Sequence, residues 1–409
     1  MTTNMTTSTT TTTRSANGPS GTPRRWRAFD LAAAAAAALS LIAVSACTSA
    51  AGADAPAQVK NAAAVKAADA ILDEARAPIQ WQAPGPAFDA TKASGKKLLY
   101  IANNLQLPFS KALADALKQA LTPLGVKVSV IDAQGNVDEV SKAIQSGIGQ
   151  KVDAIALQTY PADLISAPLK AAKAAGIQVV ASFNRGDPGF PTEKERKELG
   201  IVADVDYCQS CVGEVMGAWA VSHTGGDAHV VAYGVLNDPG STLQQAAEKK
   251  TIEKLCKGCS FSKFTYQNFN DFFNQLTTQA ASDILDGKVN VLMPDYDTFS
   301  QPILPAISQK GADSRVSVIG FNGTPSVLNG IFGKGPLRAD VGTPYTWPAW
   351  AMADQALRAL SGEPTVESEN IGFRLFDSTN MSGIDFKAGD EQVYGVDPAV
   401  EYPKLWHTS

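Results

Sequence analysis

Two rhythms of apolar residues alternate along most of this chain. Short apolar runs at Leu98–Ile101, Val126–Ile131, Ala154–Leu157 and Ile177–Ala181 predict buried strands. Between them the apolar residues recur at helical spacing. Phe109, Leu113, Ala116, Leu117, Ala120 and Leu124 predict an amphipathic helix over 109–124. Val137, Val140, Ile144 and Ile148 predict a second over 137–148, and a third follows over 162–175. The pattern then repeats. Helices over 210–222, 241–255, 271–285 and 299–309 alternate with strands over 229–232, 261–266, 289–293 and 316–321. Gly125, Gly176, Gly287 and Gly311 follow helices, where a left-handed backbone is needed. Strands alternating with helices imply right-handed crossovers and parallel sheets covered on both faces, an α/β fold. One sheet this wide is unusual, so the pattern predicts two similar lobes. Ligands of such sheets bind beyond the carboxyl ends of the strands.

The first part of the chain follows neither rhythm. Residues 1–23 are rich in Thr, Ser, Gly and Pro and read as disordered. Arg24, Arg25 and Arg27 precede an apolar run from Leu31 to Val44, the layout of a secretory signal. Its exit, Val44-Ser45-Ala46-Cys47, resembles the lipobox of bacterial lipoproteins, which implies a lipidated Cys47 as mature N-terminus. The alternative is a plain signal peptide with Cys47 incidental. Residues 1–46 are thus leader and signal. Residues 47–95 comprise a flexible tether, a helix over 59–76 and a stiff lead-in with Pro78, Trp81, Pro84 and Pro86.

Composition narrows the function. The 409 residues include 35 Lys+Arg against 40 Asp+Glu, a net charge of −5, which argues against nucleic acid as a partner. With three histidines, one in the C-terminal tail, a histidine-centred active site has little to draw on. There is no phosphate loop, no G-x-G-x-x-G opening a helix and no G-x-S-x-G elbow, so no cofactor is expected. Asp204/Asp206 and Asp295/Asp297 are closely spaced carboxylates, a spacing that strand alternation also produces by accident. Cys208, Cys211, Cys256 and Cys259 form two C-x-x-C pairs. In an exported chain they read first as disulfides, with a zinc site and a redox pair as alternatives. An exported two-lobed chain without a catalytic motif is read as a binder.

Four motifs carry a resemblance. Tyr100-Ile101-Ala102-Asn103-Asn104 through Pro108-Phe109, and Asp132-Ala133-Gln134-Gly135-Asn136 after the second strand, resemble the opening of the sugar-type periplasmic binding proteins, the ribose-binding family. Val179–Arg185 resembles that family's fourth strand and ligand pair. Gly320-Phe321-Asn322-Gly323-Thr324-Pro325 is similar to its G-F-D-G-T-P turn. The resemblance spans Lys96 to Glu363. It implies two Rossmann-like lobes joined by a three-crossing hinge, the type I periplasmic binding protein fold. The lobes are then residues 96–204 with 344–370 and residues 205–343 with 371–409, crossing near 202–207, 341–344 and 371–376. The protein would be a lipid-anchored monomer outside the cytoplasm, closing on a sugar or sugar-like polyol and delivering it to an ABC permease.

Carried over by position, the ligand-binding residues are Phe109, Tyr160, Asn184, Arg185, Gln245, Asp295, Asn322 and Thr343. Phe109 also reads as a buried helix start, Arg185 as an interlobe ion-pair partner, and Tyr160 and Thr343 as strand-exit or hinge residues. Trp347 and Trp350 read as core. The chain departs from the family at Leu107, Asn184, Gln245 and Asn322. Losing two acids to amides while keeping Arg185 and Asp295 predicts a neutral or weakly anionic ligand. In the implied second lobe, Cys208 and Cys211 open a helix near the hinge and Cys256 and Cys259 close a later helix. That helix spans roughly 20 Å, whereas a disulfide needs Cα atoms within about 7 Å. Two local bridges are therefore expected and no metal. A ligand-sensing signalling subunit and an exported carbohydrate-active enzyme using Asp295/Asp297 are the rival readings.

Overall fold

The computed structural model describes residues 59–406, apart from 185–191, 237, 268 and 331. Helix α1 (Ala62–Ala75) buries Ala64, Ala68, Leu72 and Ala75, one face at helical spacing, and Asn61 caps it by accepting the Ala64 N–H at 3.1 Å. In β1 (Lys97–Ala102) the side chains divide by strand alternation. Leu98, Tyr100 and Ala102 join one apolar core, while Leu99 and Ile101 join another. A strand apolar on both faces must be covered on both. Helix α2 (Pro108–Leu121) covers the first face. Helix α3 (Val137–Gln150), after β2 (Lys127–Asp132), covers the second, together with α4 (Ser166–Ala174), after β3 (Ala154–Gln158). Helix α4 starts later than the apolar spacing predicts, so that Pro168 falls in its first turn, where an N–H is not needed. β4 (Gln178–Ser182), α5 (Glu193–Leu199) and β5 (Ile201–Val205) complete the lobe. Its strands are parallel, in the order β2-β1-β3-β4-β5.

The second lobe repeats this plan. Its elements are α6 (Gln209–His223), β6 (His229–Val235), α7 (Pro239–Leu255), β7 (Ser260–Tyr266), α8 (Phe269–Asp283), β8 (Val291–Pro294), α9 (Ser300–Gln309), β9 (Ser317–Asn322), α10 (Pro325–Gly330) and β10 (Leu337–Gly342). Helix α11 (Trp347–Ser361) and β11 (Arg374–Phe376) follow. The order β7-β6-β8-β9-β10 matches the first sheet, and β11 adds an antiparallel edge. Gly125, Gly176 and Gly311 take positive φ (79°, 74° and 63°), whereas Gly287 does not, because α8 ends before it at Asp283.

The chain passes between lobes after β5, after β10 and before β11. The intervening α11 packs on α2 and β4 of the first lobe, its tryptophans 347 and 350 buried in the core. Two further segments also join the lobes. Helix α1 lies against α6 and β11, fixed by the Arg76–Asp377 ion pair at 2.7 Å, and the lead-in then runs to β1. Beyond β11 the chain includes α12 (Asp390–Tyr394) and α13 (Pro398–Glu401). The tail in 371–409, expected with the second lobe, returns to α11. Trp406 stacks on Trp350 at 5.9 Å and donates from Nε1 to Asp354 at 2.7 Å, and Tyr402 packs edge-on against Trp81 at 5.1 Å. The reason is the apolar outer face of α11, which these aromatic rings cover.

Candidate functional site

A cavity of about 270 Å³ lies between the carboxyl ends of the two sheets. The residues lining it follow strands: Asn103 after β1, Thr159 after β3, Phe183 after β4 and Tyr207 after β5. From the other side come Asp238 after β6, Tyr296 after β8, Asn322 at the end of β9 and Tyr345 after β10. Thr159, Phe183 and Asn322 hold positive φ (48°, 57° and 132°), so the chain turns sharply where each strand ends. Such backbone strain in non-glycine residues concentrates at ligand sites.

Aromatic rings form much of the wall. Phe109 stands 5.7 Å from Phe183 and 5.2 Å from Tyr345, and Phe183 stacks on Tyr207 at 5.1 Å. Across the cavity Phe269, Phe273 and Tyr296 surround Phe299 at 6.1, 4.8 and 6.0 Å. Phe109 reaches the wall because Pro108 starts α2 there, its fixed φ suiting a first helical position.

The polar groups fall into two sets. Gln158 is immobilised: its Oε1 accepts from Tyr100 Oη at 2.9 Å and Asn103 N at 3.1 Å, and its Nε2 donates to Ser110 at 3.0 Å. Asp238 accepts from Tyr296 Oη at 2.5 Å and Gly240 N at 3.0 Å, and burial holds its carboxyl above the usual range despite these bonds. By contrast, Tyr207 Oη, Gln209 Oε1 and Asn322 Oδ1 are buried without a hydrogen-bond partner among the described residues. An unpartnered buried polar atom costs about 1–3 kcal/mol unless a ligand satisfies it.

Of the residues expected in the site, Phe109 and Asn322 line the cavity. Tyr160 lines an adjoining cavity of about 120 Å³. Asn184 is buried behind it, its Oδ1 accepting the Tyr160 N–H at 3.0 Å. Arg185 and Cys47 lie outside the described residues. Gln245 and Asp295 do not line the cavity. They sit inside the second lobe, where Gln245 Nε2 donates to Asp295 at 3.2 Å and Ser241 donates to the same carboxyl. Burial, then the neighbouring Glu248, drive the Asp295 carboxyl well above its usual range. Asp295 is displaced by alternation, since it and Tyr296 point opposite ways and Tyr296 faces the cavity. Gln245 lies well inside α7, whereas the loop before that helix presents Asp238. Among the described residues lining the cavity the acid is therefore Asp238 and not Asp295, while Arg185, on which the ligand-charge expectation chiefly turns, lies outside the described residues. Thr343 donates to the Gly372 carbonyl at 2.8 Å, joining two interlobe passages.

Asp297, the other half of the Asp295/Asp297 spacing, belongs to a separate buried network. It accepts from Thr324 N at 2.6 Å and Thr324 Oγ1 at 2.5 Å, while Asp340 accepts from Gly323 N at 3.1 Å. The two carboxyls hold the turn after Asn322, and burial raises Asp297 to about 6 and Asp340 well above its usual range. Two local disulfides, Cys208–Cys211 and Cys256–Cys259, have Cα atoms 5.2 and 5.4 Å apart. Among the described residues no cluster of His, Cys, Asp and Glu can hold a metal.

The sequence profile described as "Periplasmic binding protein domain" matches residues 98–364, most of the two lobes. The chain belongs to this periplasmic binding protein family. Proteins of the family bind solutes for transport and are not enzymes. A D-apiose import binding protein of Actinobacillus succinogenes is 22% identical over 254 residues, 61% of this chain and 76% of that protein. Among solved structures, a 5-methylthioribose transporter solute binding protein from Thermotoga lettingae aligns with a TM-score of 0.63 at 17% identity, covering 79% of this chain and 98% of that one. The Caulobacter myo-inositol binding protein aligns with a TM-score of 0.61 at 20% identity, covering 73% and 97%. Among the described residues of this periplasmic binding protein, no helix is long and apolar enough to cross a membrane.

Proposed function

We propose that this protein is the solute-binding component of an ABC importer, that it captures a sugar or polyol between its lobes, and that a lipid on Cys47 anchors it as a monomer outside the cytoplasm. The observation that carries the ligand class is the pairing of aromatic faces with partnerless buried polar atoms across one cavity. Phe109 and Phe183 line the cavity with apolar rings suited to the C–H side of a sugar ring. Tyr207, Gln209 and Asn322 offer atoms that hydroxyl groups can satisfy. The relatives point the same way, since the matched proteins are named for D-apiose, 5-methylthioribose and myo-inositol.

Mass spectrometry of the full chain purified from membranes tests both parts. The small molecules released on denaturation should include a polyhydroxylated compound, and the N-terminal peptide should begin at a lipid-modified Cys47. A released ligand without hydroxyl groups would sink the ligand class. An unmodified Cys47 would sink the anchor.

A further inference from the structure

The cavity is chemically graded along its length. One end lies at the hinge, where Tyr207 sits in the passage after β5 and Asn322 ends β9. The partnerless polar atoms of Tyr207, Gln209 and Asn322 gather there. The other end lies toward β2 and β7, which form the sheet edges away from the hinge. Here Leu107, before α2, faces Phe269 and Phe273, which open α8 directly after β7. These three residues, with Asn103 and Thr159, are shared with the adjoining cavity of about 120 Å³, which continues past Val137, Leu164 and Val235.

Two features decide what this outer end can hold. First, its large apolar side chains are open to solvent: Phe273 is 43% exposed and Leu164 is 52% exposed. Covering them removes apolar surface from water, a gain proportional to area. Second, two polar side chains beside it, those of Asn103 and Asn104, are already engaged, whereas the Tyr160 hydroxyl deeper in the adjoining cavity is buried without a partner among the described residues. Asn103 Nδ2 donates to the Thr159 carbonyl at 3.1 Å, and Asn104 Oδ1 accepts the Gln106 N–H at 2.9 Å. A hydroxyl placed against the faces of Leu107, Phe269 and Phe273 would lose water and gain no hydrogen bond from those three side chains.

We infer that the ligand is a sugar or polyol bearing an apolar substituent, with its hydroxylated part at the hinge end and the substituent between Leu107, Phe269 and Phe273. This rests on the sugar or polyol reading above. Leu107 and Phe273 are then specificity residues: they discriminate the substituted ligand from its parent.

Calorimetric titration with matched pairs tests the inference: glucose against phenyl β-D-glucopyranoside, galactose against phenyl β-D-galactopyranoside, and ribose against 5-methylthioribose. In a pair that binds, the substituted member should bind on the order of ten-fold more tightly. Phe273→Ala, at a half-exposed position, should shrink the preference for the substituted member over its parent to within about two-fold. A parent that binds as tightly as its derivative overturns the inference and leaves the sugar reading intact. If no pair binds, the compound released from the native protein decides. Hydroxyl groups with an apolar substituent support the inference. Hydroxyl groups alone overturn it, and no hydroxyl groups overturn both readings.

Discussion

Tyr207 and Gln245 show how differently two buried polar residues can serve the molecule. Gln245 is bonded within its lobe, to Asp295 at 3.2 Å, and removing it would leave a buried carboxyl short of a donor. Tyr207 is packed between Phe183 and Phe321, yet its hydroxyl has no partner among the described residues. A polar atom held in this way costs the unliganded fold and is recovered only on binding. Tyr207→Phe should therefore leave the melting temperature of the ligand-free protein unchanged or raised. It should weaken ligand binding by about 1–2 kcal/mol, roughly five- to thirty-fold. Asn322→Ala should lower affinity similarly. Thermal melts paired with calorimetry on the released ligand check this, and a Tyr207→Phe protein that is destabilised but binds normally would refute the assignment.

At the scale of elements, the cleft depends on how closely α6 and α7 approach. A Cβ at Gly213 would lie 2.2 Å from the Gln244 carbonyl oxygen, and one at Gly217 would lie 2.9 Å from that of Glu248. Backbone meets backbone there, so no side-chain rearrangement relieves the clash. Gly213→Ala should cost about 3 kcal/mol, the upper part of the range for overpacking. Because Asp238, which caps α7, lines the cavity, moving the helix should also lower ligand affinity. A melt and a titration of the variant test both effects. Helices such as α2 and α3 were legible from apolar spacing, as were most of the strands, because each buries a regular apolar face. Helix α6 is buried nearly all round and α7 buries mostly polar residues, so their places showed only in the alternation with strands. Helix α5 was not legible, since its start rests on the local Thr192–Glu195 capping box. The cleft was legible only as a set of strand ends. Periodicity told that Asp295 and Tyr296 leave β8, but not which of the two faces the cavity. Likewise Asp238 and Tyr207 lie in short passages between elements, where spacing carries no signal and only the assembled lobes bring them together.

For the whole molecule, the segments outside the matched span 98–364 add two links between the lobes, the lead-in before β1 and the tail after β11. Both end on buried polar networks around α11. The Arg358–Asp354 pair, at 2.6 Å, holds Trp406, and Tyr402 Oη donates to Glu369 at 2.7 Å. Carboxyls buried like Glu369 recur in the second lobe and set how stability responds to pH. Burial, only partly offset by Gln244, raises Glu248 to about 8, and burial, then Asp397, raises Asp390 to about 6. A raised carboxyl pKa means that the folded state keeps a proton the unfolded chain has released. The stability from Glu248 is therefore full below about 4.5, its ordinary value, and is lost as pH rises through about 8. Asp297 and Asp390 lose theirs between about 4 and 6 in the same direction. Opposing groups such as Asp153, whose carboxyl its backbone and Lys96 bonds hold below the usual range, lose stability only in stronger acid. The stability, and with it the melting temperature, should thus peak at mildly acidic pH and fall between pH 5 and 9, the unfolding free energy by at most about 1.4 kcal/mol per pH unit for each titrating group. Glu248→Gln keeps a neutral side chain of the same shape at every pH. Its melting temperature should fall less steeply between about pH 6 and 8 than that of the native protein, and the two curves should diverge most at the alkaline end. Parallel curves for the two proteins would mean that Glu248 is ionised in the fold at neutral pH.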